Sequence, residues 1–260
     1  GLPWLISAIT GGPIFATFMN GIRLFFIEKP YLRPNIRDFH FDIGKDMLKI
    51  GSIFFLIQIF SLVANVADNI IIAQVLGASH VTTYAIAKKI FLFTQLGQYF
   101  IAPFWPVFNE AMAREEYKWA KEMFVKVLKV GMLTGALCAL PILLFGDIII
   151  EYWINDSVVP SFYLLLGLFF WTFLVNYGGA MSVLLNNDIL VRTQLIMAGK
   201  TSFSSLLFSI VLCYMYGIEG IIYGVLLGHA IFFIVPSYKS VFGLLDRLIK
   251  KEENEYKESD

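Results

Sequence analysis

The chain has 260 residues, of which 58% are hydrophobic and 15% charged, and its mean hydropathy is +0.71. A soluble domain carries nearer a quarter charged residues, so this composition excludes a protein that faces water on all sides. Twenty basic residues balance twenty acidic ones, which gives no electrostatic footprint for nucleic acid; the two cysteines and three histidines are too scattered to predict a disulfide framework, a metal site or a cofactor.

A helix needs about 20 apolar residues to cross a bilayer. Seven stretches meet that length: 3–26, 48–74, 80–107, 123–146, 158–184, 190–216 and 218–238. The runs are continuous rather than alternating, which predicts helices and not the strands of a barrel. The fold class is therefore all-α, a polytopic membrane protein of about seven transmembrane helices. The first span follows Gly1 without the basic leader and cleavage site of a signal peptide, and reads as one helix of a longer protein. Residues 27–47, with Pro30 and Pro34, read as a partly helical linker. Residues 109–122 read as a short amphipathic helix feeding the next span, and KKEENEYKESD (250–260) as a solvated, frayed end.

Basic residues fix the expected orientation. Lys29, Arg33, Arg37, Lys45 and Lys49 lie in the first connection, and Arg114, Lys118, Lys121, Lys126 and Lys129 around the third. Arg192 follows the fifth span, and Lys239, Arg247, Lys250, Lys251 and Lys257 follow the last. If seven spans alternate, all of these fall on one side. The opposite connections, 77–80, 147–157 and 217–220, contain no Lys or Arg. The basic side is then cytoplasmic, with the N-terminus outside and the C-terminus inside.

Four bases and one acid remain within spans. Asp68 lies ten residues before Ala78 and Lys88 ten after it, so an antiparallel hairpin sets them at one depth, about 10–15 Å below the tip. They either neutralise each other or line a polar cavity, because an isolated charge in the bilayer costs at least about 2.5–3.5 kcal/mol. Lys89 sits about 100° round the helix from Lys88, so one Asp does not satisfy both. Lys200 is near the middle of the sixth span, too deep for an easy snorkel. Arg23 is close enough to the cytoplasmic end to snorkel. Asn65 and Asn69 flank Asp68 and Asn176 lies in the fifth span; each is either a helix-packing hydrogen bonder or a cavity residue. The hydroxyls Thr201, Ser202, Ser204 and Ser205, and His229, read as packing groups. The excess of positive charge suits an anionic substrate or headgroup.

The hairpin VADNIIIAQVLGASHVTTYAIAKKIF (66–91) resembles the seventh-to-eighth helix hairpin of Wzx-like polysaccharide flippases. These belong to the multidrug/oligosaccharidyl-lipid/polysaccharide (MOP) exporter superfamily. Pro103, Pro106, Glu110, Ala111 and Trp119 are similar to that family's Pro-rich helix end before its ninth helix. VLLNNDILVRTQ (183–194) is similar to its Asn-to-Arg-x-Gln turn, with Asp188 where Gly is expected, and YGIEGIIYGVLLG (216–228) to its closing Gly-rich helix entry.

The resemblance implies a MOP/MATE-like C-terminal lobe. Residues 1–26 would be the last helix of the N-terminal lobe, 27–47 a cytoplasmic linker, 48–239 the six-helix lobe, and 240–260 a cytoplasmic tail. It implies a non-enzymatic flippase that moves undecaprenyl-pyrophosphate-linked oligosaccharide, an O-antigen or other surface-polysaccharide unit, across the bacterial cytoplasmic membrane. Its partners would be that glycan, the bilayer, the missing N-terminal lobe and the polysaccharide polymerase machinery. Lys88, Lys89, Lys200, Asn65, Asn69 and Asn176 become candidates for a cationic cavity, and Asp68 for a gating or ion-coupling residue. Two other functions compete with this one. A MATE-type multidrug exporter would favour more membrane acids, and an integral membrane transferase acting on lipid-linked sugars would need a paired acid or His at a membrane face.

Overall fold

The computed structural model describes residues 2–35, 40–101, 103–153, 159–187 and 189–259, and at 2, 96, 97, 100, 153 and 255–259 the backbone alone. Arg37, Asp188 and the part of the expected connection 147–157 beyond Trp153 lie outside the described residues. The described chain is all-helical, and it divides into two compact units, Gly1–Ile50 and Gly51–Asp260.

In the first unit, α1 (Leu2–Arg23) contains Pro13 and runs into a π-helical turn, Leu24–Glu28, and a 3-10 turn, Pro30–Leu32. Arg23 does not need to snorkel alone: its Nε lies 2.9 Å from Glu28 Oε1. Arg33 stacks its guanidinium 4.0 Å from the Phe26 ring centroid. The helix α2 (Phe41–Val75) begins seven residues before the predicted span, and the division between the units falls within it.

The second unit continues α2 from Gly51 and adds α3 (Ala78–Phe91), α4 (Leu96–Ile101), α5 (Phe104–Ala113), α6 (Tyr117–Trp153), α7 (Phe162–Leu185), α8 (Val191–Tyr216), α9 (Ile218–His229) and α10 (Val235–Ser259). Among the described residues, six helical stretches are long and apolar enough to cross a membrane: Pro3–Glu28, Phe41–Val75, Tyr117–Tyr152, Phe162–Leu185, Val191–Tyr216 and Ile218–Asn254. The protein is a multi-pass α-helical membrane protein. The predicted span 80–107 is not a single helix. It tightens into a 3-10 turn at Leu92–Gln95, where Thr94 donates its hydroxyl back to Phe91 O at 2.5 Å. Thr94 also meets Thr172 Oγ1 at 3.2 Å, and Gln98 Nε2 donates to Val175 O at 2.6 Å. The break thus serves hydrogen bonds into α7.

Two apolar clusters mark the two ends of this unit. One gathers Ile101, Phe108, Phe124, Leu185, Val241 and Leu245. The other gathers Ile72, Tyr84, Phe91, Leu164, Leu168 and Ile221. Segment 78–113 contributes Tyr84 and Phe91 to one and Ile101 and Phe108 to the other, so it traverses the unit despite its break. The first cluster lies at the end bearing Lys118, Lys121 and Arg192; the second adjoins the tips at Gly77 and Gly217, which lack bases.

The expected single helix over 109–122 is corrected by a reversal at Glu115. That residue has φ +62°, Glu116 N donates to Ala111 O at 2.9 Å, and Glu115 N donates to Met112 O at 3.3 Å. This is a Schellman end, and it folds α5 back onto α6. Phe108 and Phe124 then meet edge to face at 5.9 Å. The end 250–260 is helical as far as Ser259 rather than frayed, with 250–254 exposed, and before it α10 buries Val241 and Leu245. Lys121 and Lys118 on α6 pair with Asp246 and Glu253 at 2.6 and 2.9 Å.

The backbones of α8 and α9 approach closely, and the sequence explains why. Gly220, Gly224 and Gly228 form a stripe at i, i+4, i+8 on α9, facing Ser205, Ser209 and Cys213 at the same spacing on α8. A Cβ on Gly224 would overlap the Ser209 backbone and lie 2.7 Å from Phe208 C. Small residues on both sides let the backbones approach, as membrane helices require when lipid supplies no hydrophobic drive between them. Ser209 Oγ uses the proximity to donate to Ile221 O at 2.9 Å.

Candidate functional site

Gly77, with φ +98°, makes the tip between α2 and α3, a backbone conformation that residues with a Cβ rarely adopt. The hairpin brings Asp68 and Lys88 together. Lys88 Nζ lies 2.7 Å from Asp68 Oδ2, and Tyr84 Oη donates to the same oxygen at 2.7 Å. The Asp68 side chain is 3% exposed and that of Lys88 19%. The ammonium also stands 5.5 Å from the ring centroids of Tyr84 and Trp171. Of the two sequence readings for this pair, the structure shows the ion pair. Beside it lies a void of about 10 Å³ against Asp68, Ser205 and Ser209, about the space one water needs.

The remaining candidates are not brought into one cavity. Lys89 and Lys200 are exposed, and neither forms an ion pair among the described residues. Lys200 stands on an outward face of α8 with Phe203 and Leu207, which are 70% and 50% exposed. Asn65 and Asn69 are exposed on α2, and Asn65 Nδ2 donates to Ser61 O at 2.9 Å. Asn176 is 1% exposed and donates to Thr172 O at 3.0 Å. A Cβ on Gly135 would overlap its amide, so Asn176 sits in the α6–α7 contact. Lys88, expected as cavity lining, is committed to Asp68.

The cavity that does form lies between α2, α7, α8 and the π-helical turn Ala230–Ile234 that joins α9 to α10. Its volume is about 280 Å³, and its polar lining is Ser61, Ser182, Gln194, Thr201, Ser202 and His229. Gln194 Oε1 and Thr201 Oγ1 are buried without a hydrogen-bond partner among the described residues. None of Lys88, Lys89, Lys200, Asn65, Asn69 or Asn176 lines it. Sequence reasoning treats Thr201, Ser202 and His229 as packing groups and passes over Ser61, Ser182 and Gln194. Only the spacing Gln194–Ala198–Thr201, which repeats on one helical face, hints at a polar stripe. A larger groove of about 470 Å³ opens at the tip end between Tyr163, Tyr216 and Tyr223, and its aromatic walls suit a membrane interface.

Residues 4–129 match a family model described as polysaccharide biosynthesis protein. That stretch runs from α1 into the first third of α6 and includes the Asp68–Lys88 hairpin. The match supports a role in polysaccharide synthesis or export. No curated protein and no solved structure matches the chain.

Proposed function

We propose that this protein is part of a flippase, not an enzyme, that carries an undecaprenyl-pyrophosphate-linked oligosaccharide across the bacterial cytoplasmic membrane by alternating access. The observation that carries this reading is the pair Lys89 and Lys200, exposed on α3 and on the membrane-spanning α8 and without an acidic partner among the described residues. Facing lipid, each ammonium would cost about 2.5–3.5 kcal/mol or more. Facing a wet cleft that opens to one side at a time, each stays hydrated and attracts an anion. Two unit charges about 4 Å apart attract by about 4 kcal/mol at an effective dielectric of about 20, enough to favour a pyrophosphate headgroup over a neutral lipid. The family match adds the glycan. The gathering of bases at one end of the second unit supports a cytoplasmic C-terminus, with the N-terminus of this chain outside.

Asp68 acts in this scheme as the counter-ion of Lys88, holding α2 to α3 while other surfaces move. A multidrug exporter for cations would want an unpaired membrane acid, and Asp68 is paired. The test is surface polysaccharide in a flippase-null host, with protein quantified in the same membranes. Lys89→Gln and Lys200→Gln lower polysaccharide at normal abundance, and arginine at either position retains more activity than glutamine, because it keeps the charge. Full activity in the Lys89→Gln/Lys200→Gln double variant overturns the cationic-cleft mechanism.

A further inference from the structure

The cavity between α2, α7 and α8 has a chemistry of its own. Its three serine hydroxyls have already spent their hydrogens. Ser61 donates to Ile57 O at 3.0 Å, Ser182 to Gly178 O at 2.8 Å, and Ser202 to Phe60 O at 3.0 Å. Each oxygen is left with lone pairs only. His229 Nδ1 lies 2.9 Å from the Val225 carbonyl. A carbonyl only accepts, so a proton sits on Nδ1, and when the ring is neutral Nε2 is a further acceptor. Gln194 Oε1 adds a buried acceptor without a partner, and Thr201 Oγ1 a buried hydroxyl in the same condition, on residues that are 8% and 5% exposed. A buried polar atom left unpaired costs about 1–3 kcal/mol, so two in the lining of one cavity call for an occupant.

What the occupant must be follows from the lining. It must donate several hydrogen bonds. No Asp, Glu, Lys or Arg lines the cavity, so a net charge of either sign would be uncompensated. The rings of Phe60 and Phe233 form part of the wall, and they offer apolar faces rather than further hydrogen bonds. The volume of about 280 Å³ is at the lower end of ligand pockets, which run from about 300 Å³. It is far more than one cation or one water needs. Many hydroxyl donors, no charge, an apolar C–H face and this size together describe a sugar ring.

We propose that this cavity is a subsite for one neutral sugar ring of the carried glycan, its hydroxyls donating to Gln194, Thr201 and the serine oxygens and its C–H face against Phe60 or Phe233. The identification of the glycan as cargo rests on the proposed function; the sugar-ring chemistry rests on the lining. The subsite is separate from Lys89 and Lys200, so headgroup and sugar are read by different residues.

The test uses the 260-residue chain in lipid nanodiscs and saturation-transfer NMR with methyl glucoside, methyl galactoside and methyl N-acetylglucosaminide as probes, in sodium chloride and in choline chloride. At least one glycoside receives saturation in both salts. Its affinity falls about tenfold, the loss of one well-placed hydrogen bond, in Gln194→Met and in Thr201→Val. Thr201→Ser, which restores the hydroxyl, recovers it, and Lys239→Gln, at an exposed residue away from the cavity, leaves it unchanged. Saturation of none of the three glycosides overturns the proposal. So does affinity unaltered in both variants, or binding seen only with sodium, which would make this a cation site. Surface polysaccharide in the flippase-null host separates the two readings. Wild-type polysaccharide from a variant that has lost sugar binding overturns the subsite and leaves the flippase standing. Sugar binding through Gln194 and Thr201 by a chain that never restores polysaccharide, even when it is completed by the N-terminal lobe, supports the sugar chemistry and overturns the transport reading.

Discussion

Replacing Asp68 with Asn removes the charge that Lys88 faces while keeping the shape and an acceptor for Tyr84. Breaking a buried ion pair from one side costs about 3–5 kcal/mol, because the other charge is stranded. Two features of the site place the cost at the lower end. The Lys88 side chain is 19% exposed, so water or a headgroup can reach it, and the rings of Tyr84 and Trp171 at 5.5 Å retain about 1 kcal/mol of cation–π attraction. Asp68→Asn should therefore destabilise the chain by about 3 kcal/mol. Asp68→Asn with Lys88→Met removes both charges and leaves an unbranched apolar side chain beside Trp171, and replacing such a pair is often neutral. The double variant should lie within about 1 kcal/mol of wild type, a coupling of at least about 2 kcal/mol. The assay is thermal unfolding of the purified chain in one detergent, with membrane abundance measured in parallel. Strictly additive losses, or a double variant less stable than Asp68→Asn alone, would refute the claim that these residues hold the hairpin by pairing.

Other outcomes follow from the packing. Gly224→Ala pushes a methyl group into the α8 backbone and should cost about 1–3 kcal/mol or more, whereas Gly243→Ala, where a Cβ meets open space, should not destabilise; equal thermal shifts would argue against the α8–α9 stripe. Leu245→Ala, at 1% exposure, should cost about 2–5 kcal/mol and Lys121→Ala less than about 1 kcal/mol, whereas a freely solvated tail would make both silent in the same unfolding assay. A cysteine at Ser79 should react with an impermeant thiol reagent from outside the cell and one at Ser240 only after permeabilisation, in a background lacking Cys138 and Cys213; the converse pattern would reverse the proposed orientation.

How far the sequence reaches depends on whether a feature is local. The apolar runs show themselves because about 20 residues of uniform chemistry are needed to cross a bilayer. The Asp68–Lys88 contact is legible because a hairpin forces residues equidistant from its tip to one depth, so one measurement along the chain fixes a distance in space. The broken span 80–107 is not legible in the same way. Nothing in LFTQLGQ announces a 3-10 turn, since its cause lies in α7: the Thr172 hydroxyl and the Val175 carbonyl that Thr94 and Gln98 reach. The glycine stripe at 220, 224 and 228 is visible as a period of four, but its partner row at 205, 209 and 213 is fixed only when the helices meet. The cavity is the least legible feature. Ser61, Ser182, Gln194 and His229 come from four separate segments, and each alone reads as an ordinary packing residue.

That distribution bears on how such a protein could carry an amphiphile with a charged head and neutral sugars. A binding site made from fixed charges alone would hold the headgroup and ignore the glycan. One made from neutral acceptors alone would hold the sugars and let the headgroup pay its full desolvation cost. In this chain the two chemistries are apart. The buried acid is consumed by Lys88, the ammonium groups of Lys89 and Lys200, without an ion-pair partner among the described residues, are exposed, and the neutral acceptors lie in a cavity between helices. Charge attraction acts over about a Debye length and weakens with salt, whereas enclosed hydrogen bonds act only at contact and are nearly indifferent to it. On the proposed reading, capture of the headgroup should weaken as ionic strength rises while discrimination among sugars persists. Selectivity for the glycan would then be set at Gln194 and Thr201, and the rate of loading at Lys89 and Lys200.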